Sequence, residues 1–184
     1  MAAPCCFKLA MNLGDDHLTL FGLPARQALS RADLDARRRD LQARVHPDRF
    51  ASEGAAAQRL AMQWAVRVNE AYACLKDPLA RAAYLCEQRG VAVDAERNTA
   101  MPTAFLMQQM EWREALDDAD GLEAVERLDA EISKVEAGML DELEQLLDHQ
   151  QDTPAAAAQV RALMFVARFR QDIQRRLEAL DSTR

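Results

Sequence analysis

The tripeptide His46-Pro47-Asp48 holds the residue types in this chain with the plainest chemical potential. A carboxylate beside an imidazole can orient it and stabilise its charged form, which is the starting point of general acid–base catalysis. That chemistry needs a third group, and the sequence gives no serine or cysteine nucleophile an evident place beside the pair. His17 and His149 lie in unrelated contexts. A hydrolase built on His46 and Asp48 would need that missing nucleophile, so no catalytic residue is assigned and the chain is not expected to be an enzyme. The plainer alternative is that both residues only cap and turn the chain at a helix end, as proline and aspartate commonly do.

The flanking elements show how the tripeptide must be held. Leu34, Leu41 and Val45 recur at helical spacing, which predicts a helix from Leu34 to Val45 with one buried face. Pro47 disfavours helical geometry at His46, so the helix should end there and present His46 and Asp48 on a loop. Beyond the loop, Ala57, Leu60, Ala61, Trp64, Val68, Ala71, Tyr72 and Leu75 form a second helical stripe. Two antiparallel helices with an exposed His-Pro-Asp at their tip are the expected arrangement. Around it, the stretch from Leu41 to Phe50 (LQARVHPDRF) resembles the J-domain signature well beyond the tripeptide.

A J domain is the Hsp70-binding module of co-chaperones. The resemblance implies that His46, Pro47 and Asp48, with the basic face of the preceding helix, engage an Hsp70 ATPase and trigger hydrolysis. Arg37 and Arg44 are seven residues apart and share one face, away from Leu34, Leu41 and Val45. With Arg31 and Arg49 they could form the basic patch that the resemblance implies, although an ordinary solvated face explains Arg31 and Arg49 singly. Arg38 departs from the pattern, because it falls inside the apolar stripe where J domains usually carry an aromatic residue. Its methylene stem can cover the core while the guanidinium reaches water.

The whole chain fits a helical protein. Of its 184 residues 49% are hydrophobic and 29% charged, a balance of folded rather than disordered chains. Aromatics are few, Ala, Leu, Arg and Glu dominate, and no alternating apolar run stands out, so the expected fold class is all-α. No segment has the roughly 20 consecutive apolar residues that a membrane span needs. Residues 1–16 form an N-terminal extension without the composition of a secretion or transit signal. Cys5 and Cys6 are adjacent, Cys74 and Cys86 sit within predicted helices, and none makes a metal-ligand pair, so neither metal nor cofactor is expected. Free cysteines fit a reducing cytoplasm.

Charge divides the chain. From His17 to Arg89 there are 12 Lys and Arg against 8 Asp and Glu, whereas from Gly90 to Arg184 there are 10 against 20. Two modules with two partners follow, neither of them nucleic acid, since the basic excess is small and no nucleic-acid motif is present. The boundary falls at 90–102, where helical periodicity lapses between Gly90 and Pro102. Before it, residues 17–89 comprise a short opening segment (Leu18, Leu20, Phe21, Leu23), the two helices around His46, and a helix begun by Asp77-Pro78. That helix turns Leu79, Ala82, Ala83 and Leu85 to the core. After it, residues 103–184 carry three long amphipathic helices, expected to pack as a three-helix bundle. The second should run from about Leu122 to His149 with Leu122, Val125, Leu128, Ile132, Val135, Met139, Leu143 and Leu146 on one face. The third should start after Thr153-Pro154 and bury Leu163, Val166, Phe169, Ile173, Leu177 and Leu180, with the alanines from Ala155 to Ala158 favouring its initiation.

The first of these helices, from Thr103 to Ala119, has more apolar surface than a bundle needs. Phe105, Trp112, Leu116 and Ala119 cluster on the core side. Leu106, Met107 and Met110 lie elsewhere, sharing an arc of roughly 140° with Glu111, Glu114 and Asp118. An apolar patch edged by acids, opposite a core, has the make-up of a recognition surface, and methionine adapts well to a partner's shape. The alternative is that Leu106 and Met107 pack within the protein. Phe165 falls at the margin of the last helix's stripe, where it can join the patch or remain peripheral core. Thr103 to Asp117, Leu18 to Arg26, Asp77 to Leu85 and Val160 to Phe169 resemble the HscB co-chaperones, over nearly the whole chain from His17. That resemblance implies a C-terminal domain that holds the iron–sulfur scaffold protein IscU and a J domain that delivers it to the dedicated Hsp70, HscA. It implies scaffold contacts at Leu106, Met107, Met110, Glu111, Glu114, Asp118 and Phe165. A general J protein for unfolded clients would instead carry a Gly/Phe-rich linker or a β-rich peptide-binding domain, and neither is present.

Overall fold

The computed structural model describes residues 12–50, 52–94 and 101–182. Cys5, Cys6 and the middle of the expected linker lie outside the described residues. Within them the protein is all-α: α1 (His17–Phe21), α2 (Arg31–Val45), α3 (Ala55–Lys76), α4 (Pro78–Gln88), α5 (Thr103–Asp117), α6 (Leu122–Glu144) and α7 (Thr153–Asp181). A 3-10 turn spans Pro47–Phe50, and α6 runs on as a π-helical segment over Gln145–Gln150. The chain forms two compact units that divide inside α4, between Arg81 and Ala82. The sequence marks its boundary later, at Gly90. Two hydrogen bonds explain why the residues after α4 go with the second unit: Arg89 donates to the Leu147 carbonyl at 2.8 Å, and Arg161 donates to the Val93 carbonyl at 3.1 Å.

In the first unit α2 and α3 form an antiparallel hairpin with α1 against both. Asp16 starts α1 by accepting from the backbone N–H groups of Leu18 and Thr19. Gly22, at φ 60°, ends it, with Leu23 N–H bonded to Leu18 O at 2.9 Å and Gly22 N–H to Thr19 O at 3.0 Å. This left-handed ending satisfies carbonyls that a side chain at Gly22 would strain. Leu18, Leu20 and Phe21 are thereby buried together with Leu34, Leu41 and Val45 of α2 and Ala61, Trp64, Val68, Ala71, Tyr72 and Leu75 of α3. At the far end Asp77 caps α4, accepting from Leu79 N–H at 2.8 Å and Ala80 N–H at 3.2 Å.

In the second unit α5, α6 and α7 enclose a core of Trp112, Ala119, Val125, Leu128, Ile132, Val166, Phe169 and Ile173, with Phe105, Leu116, Val135, Met139, Leu177 and Leu180 at its edges. Arg170 of α7 reaches Glu136 at 2.7 Å and Asp129 at 3.4 Å on α6, which fixes the register of that pair.

Some details differ from what the periodicity predicts. Leu60 is 48% exposed although it fits the α3 stripe; it lies at the stripe's margin, roughly 70° from its centre by the helical step. Leu147 rather than Leu146 is fully buried at the end of α6, because the wider π-helical turn rotates the side chains out of the 3.6-residue register. The alanine run does more than start α7, since Ala156 and Ala157 are buried and let the helix approach its neighbours closely. Finally, α7 includes Thr153 itself, with Asp152 as its cap accepting from Ala155 N–H at 3.0 Å.

Candidate functional site

The loop at the tip of the α2–α3 hairpin is positioned mainly by backbone. Helix α2 stops at Val45, and His46 takes an extended conformation at φ −61° and ψ 126°, as a residue before proline prefers. The His46 carbonyl accepts from Arg49 N–H at 3.0 Å, closing the turn. Asp48 N–H donates to His46 Nδ1 at 3.3 Å, which in the neutral ring leaves the proton on Nε2. The Asp48 carboxylate lies 3.6 Å from the same nitrogen, and the two side chains are 59% and 90% exposed. Among the described residues no hydroxyl or thiol hydrogen-bonds to His46. The geometry presents a polar tip to solvent and assembles no nucleophile with it.

The arginines expected near the loop divide into two kinds. Arg37 is turned inward: its Nη1 donates to the Phe21 and Gly22 carbonyls at 2.9 and 2.8 Å, and its Nε meets Asp33 at 3.1 Å. Arg49 likewise donates to the Ala43 carbonyl at 3.0 Å, one of the last carbonyls of α2 without a helical partner. Arg44 stays on the surface, 49% exposed and paired to Asp40 at 2.6 Å. Arg31 pairs with Asp35 at 3.0 Å and donates to the Tyr72 hydroxyl at 3.0 Å, while that hydroxyl donates to Asp35 at 2.7 Å. The Tyr72 hydrogen bond, with help from Arg31, holds the Asp35 carboxyl below its ordinary range. Arg38 does not simply escape to water. Its guanidinium stacks over the Tyr72 ring at 4.1 Å, a cation–π contact that fills the place of the expected aromatic.

The second surface lies on α5. Leu106, Met107 and Met110 are 44%, 58% and 62% exposed, on the side away from buried Trp112. Glu111, Glu114 and Asp118 are exposed beside them, and Gln108 donates to Glu111 at 3.2 Å. Phe165 connects this face to the core. It meets Phe105 edge to face at 6.1 Å, Phe105 meets Trp112 the same way at 6.1 Å, and Trp112 stacks on Phe169 at 6.1 Å. Phe165 is therefore a half-buried residue whose ring supports Phe105. Arg113 covers it, with its guanidinium 5.4 Å from the ring centre. Arg113 was not among the expected contacts, although its spacing from Leu106 and Met110 (i, i+4, i+7) puts it on the same strip. Met164, 37% exposed beside Phe165, was also absent from that set, and no periodicity marks it.

Among the described residues no three His, Cys, Asp or Glu side chains gather in a metal-ligand arrangement, and no helix is long and apolar enough to cross a membrane.

Comparison with known proteins places the chain in a family. A family model described as the HSCB C-terminal oligomerisation domain matches residues 101–174. The co-chaperone protein HscB homolog of Burkholderia mallei is 53% identical over 174 residues, covering 93% of this chain and 99% of that protein. The homolog of Bordetella parapertussis is 52% identical over 160 residues, covering 86% and 94%. Among solved structures, chaperone HscB from Vibrio cholerae superposes with a TM-score of 0.78 at 35% identity, over 90% of this chain and 99% of that one. Human co-chaperone protein HscB superposes at 0.84 with 22% identity, over 90% and 84%, which is a likeness of fold. The chain, a J domain followed by a three-helix bundle, belongs to the HscB family of co-chaperones.

Proposed function

We propose that this co-chaperone binds an iron–sulfur scaffold protein of the IscU type on α5 and delivers it to a dedicated Hsp70 of the HscA type. The loop of His46, Pro47 and Asp48, with Arg44 beside it, stimulates the Hsp70 ATPase. Arg37 acts chiefly by holding α1 against α2, on the surface beneath that contact. Leu106, Met107, Met110, Glu111, Glu114 and Asp118 hold the scaffold, and Phe165 props the face from behind. The functional modules are residues 17–89 and 103–184. The protein works in the cytoplasm, a reducing compartment in which Cys86 stays a thiol.

One observation carries this reading: a single chain exposes both a polar hairpin tip and three large apolar side chains on a helix whose other side is buried. Exposed Met and Leu on a rigid helix gain by desolvation against a partner, and the adjacent acids select a partner with positive charge. A chain that holds both partners raises the client's local concentration at the chaperone, so coupling needs no chemistry of its own. The test is an ATPase assay of the cognate Hsp70 with this protein, with and without the scaffold. Stimulation that rises further with scaffold supports the proposal, and no response to this protein overturns it.

A further inference from the structure

Along the seam between α5 and α7 the second unit reverses its charge. The chain from Gly90 to Arg184 carries 10 Lys and Arg against 20 Asp and Glu, yet Arg113, Arg168, Arg175 and Arg176 all stand on this flank. On α7, Met164, Arg168 and Arg175 follow the i, i+4, i+11 spacing of one exposed strip. Arg113 leans from α5 across the Phe165 ring, so it links the apolar patch to that strip. Further along the seam an open groove of about 490 Å³ is lined by Leu116, Asp117, Asp172, Arg175, Arg176 and Ala179. Arg175 is held there by Asp172. Arg113, Arg168 and Arg176 make no ion pair among the described residues, and all three are exposed.

We infer that this arginine flank is the second half of the scaffold contact: it takes an acidic segment of the scaffold along the α5–α7 groove, while Glu111, Glu114 and Asp118 take its positive groups. The inference rests on the function proposed above. By the helical step, Leu106 and Met110 lie between two charged edges. Arg113 falls about 20–60° to one side of them, and Glu114, Asp118 and Glu111 fall about 40–140° to the other. A face with opposite charge on its two edges fits a partner in one orientation, since turning the partner round sets like charges together. The three guanidiniums without a carboxylate of their own are open to such a partner, and each offers a planar fork that matches a carboxylate. Asp117 and Asp172 also line the groove, but four arginines against two aspartates leave the flank positive. Phe165 and Leu116 border the same core along the seam, so the groove continues the α5 face and one partner can cover both.

The test is calorimetric titration of the full-length protein with the scaffold, for wild type, Arg168→Glu/Arg176→Glu, Arg168→Gln/Arg176→Gln and Leu106→Ala/Met107→Ala. The charge-reversed protein should bind about ten-fold more weakly in dilute buffer, and the glutamine protein about three-fold more weakly. Both losses should shrink in about 1 M salt, where charges are screened beyond roughly 3 Å. Melting and the scaffold-independent stimulation of the Hsp70 should match wild type, because neither arginine holds an ion-pair partner in the fold and the loop lies in the other unit. Wild-type affinity in the charge-reversed protein, tighter binding by it, or a loss that salt leaves undiminished overturns the arginine flank and leaves the α5 face standing. Wild-type affinity in Leu106→Ala/Met107→Ala overturns the α5 face instead.

Discussion

At the tip of α2 the exposed groups are polar and the backbone positions them; on α5 the exposed groups are apolar and a helix face positions them. His46 and Asp48 lose little by standing in water, because water solvates them well, and their arrangement comes from a proline, a 3-10 turn and an Arg49–Ala43 hydrogen bond. Leu106, Met107 and Met110 are the reverse case. Burying a side chain of that size is worth roughly 1.5–3 kcal/mol, so a partner that covered the three would gain from each. The contrast teaches how to separate the surfaces experimentally. Changes at the loop should alter signalling without altering stability or client affinity, and changes on α5 should alter client affinity without altering the loop.

The largest expected effect is at the loop. Replacing His46 by Gln should abolish Hsp70 stimulation while leaving the melting temperature and the helical spectrum unchanged. Next comes the α5 face, where Leu106→Ala with Met107→Ala should weaken scaffold binding by roughly 2–4 kcal/mol in a calorimetric titration, at unchanged stability. Phe165→Ala should sharpen the comparison by lowering both, since its ring supports Phe105; unaltered melting of that variant would contradict the ring contacts. A smaller effect separates the two arginines. Arg37→Ala removes the donor to two backbone carbonyls and should cost about 1–2 kcal/mol in urea denaturation, whereas Arg44→Ala should cost almost nothing there and act only on the Hsp70 response.

The smallest effect is one of pH. Burial, followed by the nearby Arg67 charge, lowers the His17 imidazole below its ordinary value of 6.5. The unfolded chain then takes up that proton more readily than the folded one. His17 therefore supports the fold fully above about pH 6.5, and that support is lost as pH falls through the lowered folded value. Melting measured from about pH 7 down to about pH 5 should decline less steeply for His17→Gln than for wild type.

How much of this was legible in the sequence depended on what kind of physics fixed each feature. Helices α2, α5 and α7 follow their apolar periodicity because one face of each meets a core, and Asp77-Pro78 is a local signal that marks where α4 begins. The exposure of Leu106, Met107 and Met110 follows in the same way, from their angle away from Trp112. What the sequence hid was set by partners distant in the chain. Arg37 reads as a surface cation until Phe21 and Gly22 turn their carbonyls to it, and Arg38 reads as a flaw in a stripe until Tyr72 lies beneath it. The π-helical turn that swaps Leu147 for Leu146 breaks the periodicity on which the reading depends. The division of the units inside α4 has the same origin, in hydrogen bonds from Arg89 and Arg161 that no local pattern announces.

The separateness of the two surfaces is tested most directly by one assay. ATPase rates of the cognate Hsp70 should be recorded against wild type, His46→Gln and the Leu106→Ala/Met107→Ala protein, each with and without scaffold. The loop variant should give no stimulation yet still bind scaffold. The α5 variant should keep the scaffold-independent stimulation and lose the increment that scaffold adds. Loss of both the basal stimulation and the scaffold increment in the α5 variant, or loss of scaffold binding in the loop variant, would contradict it.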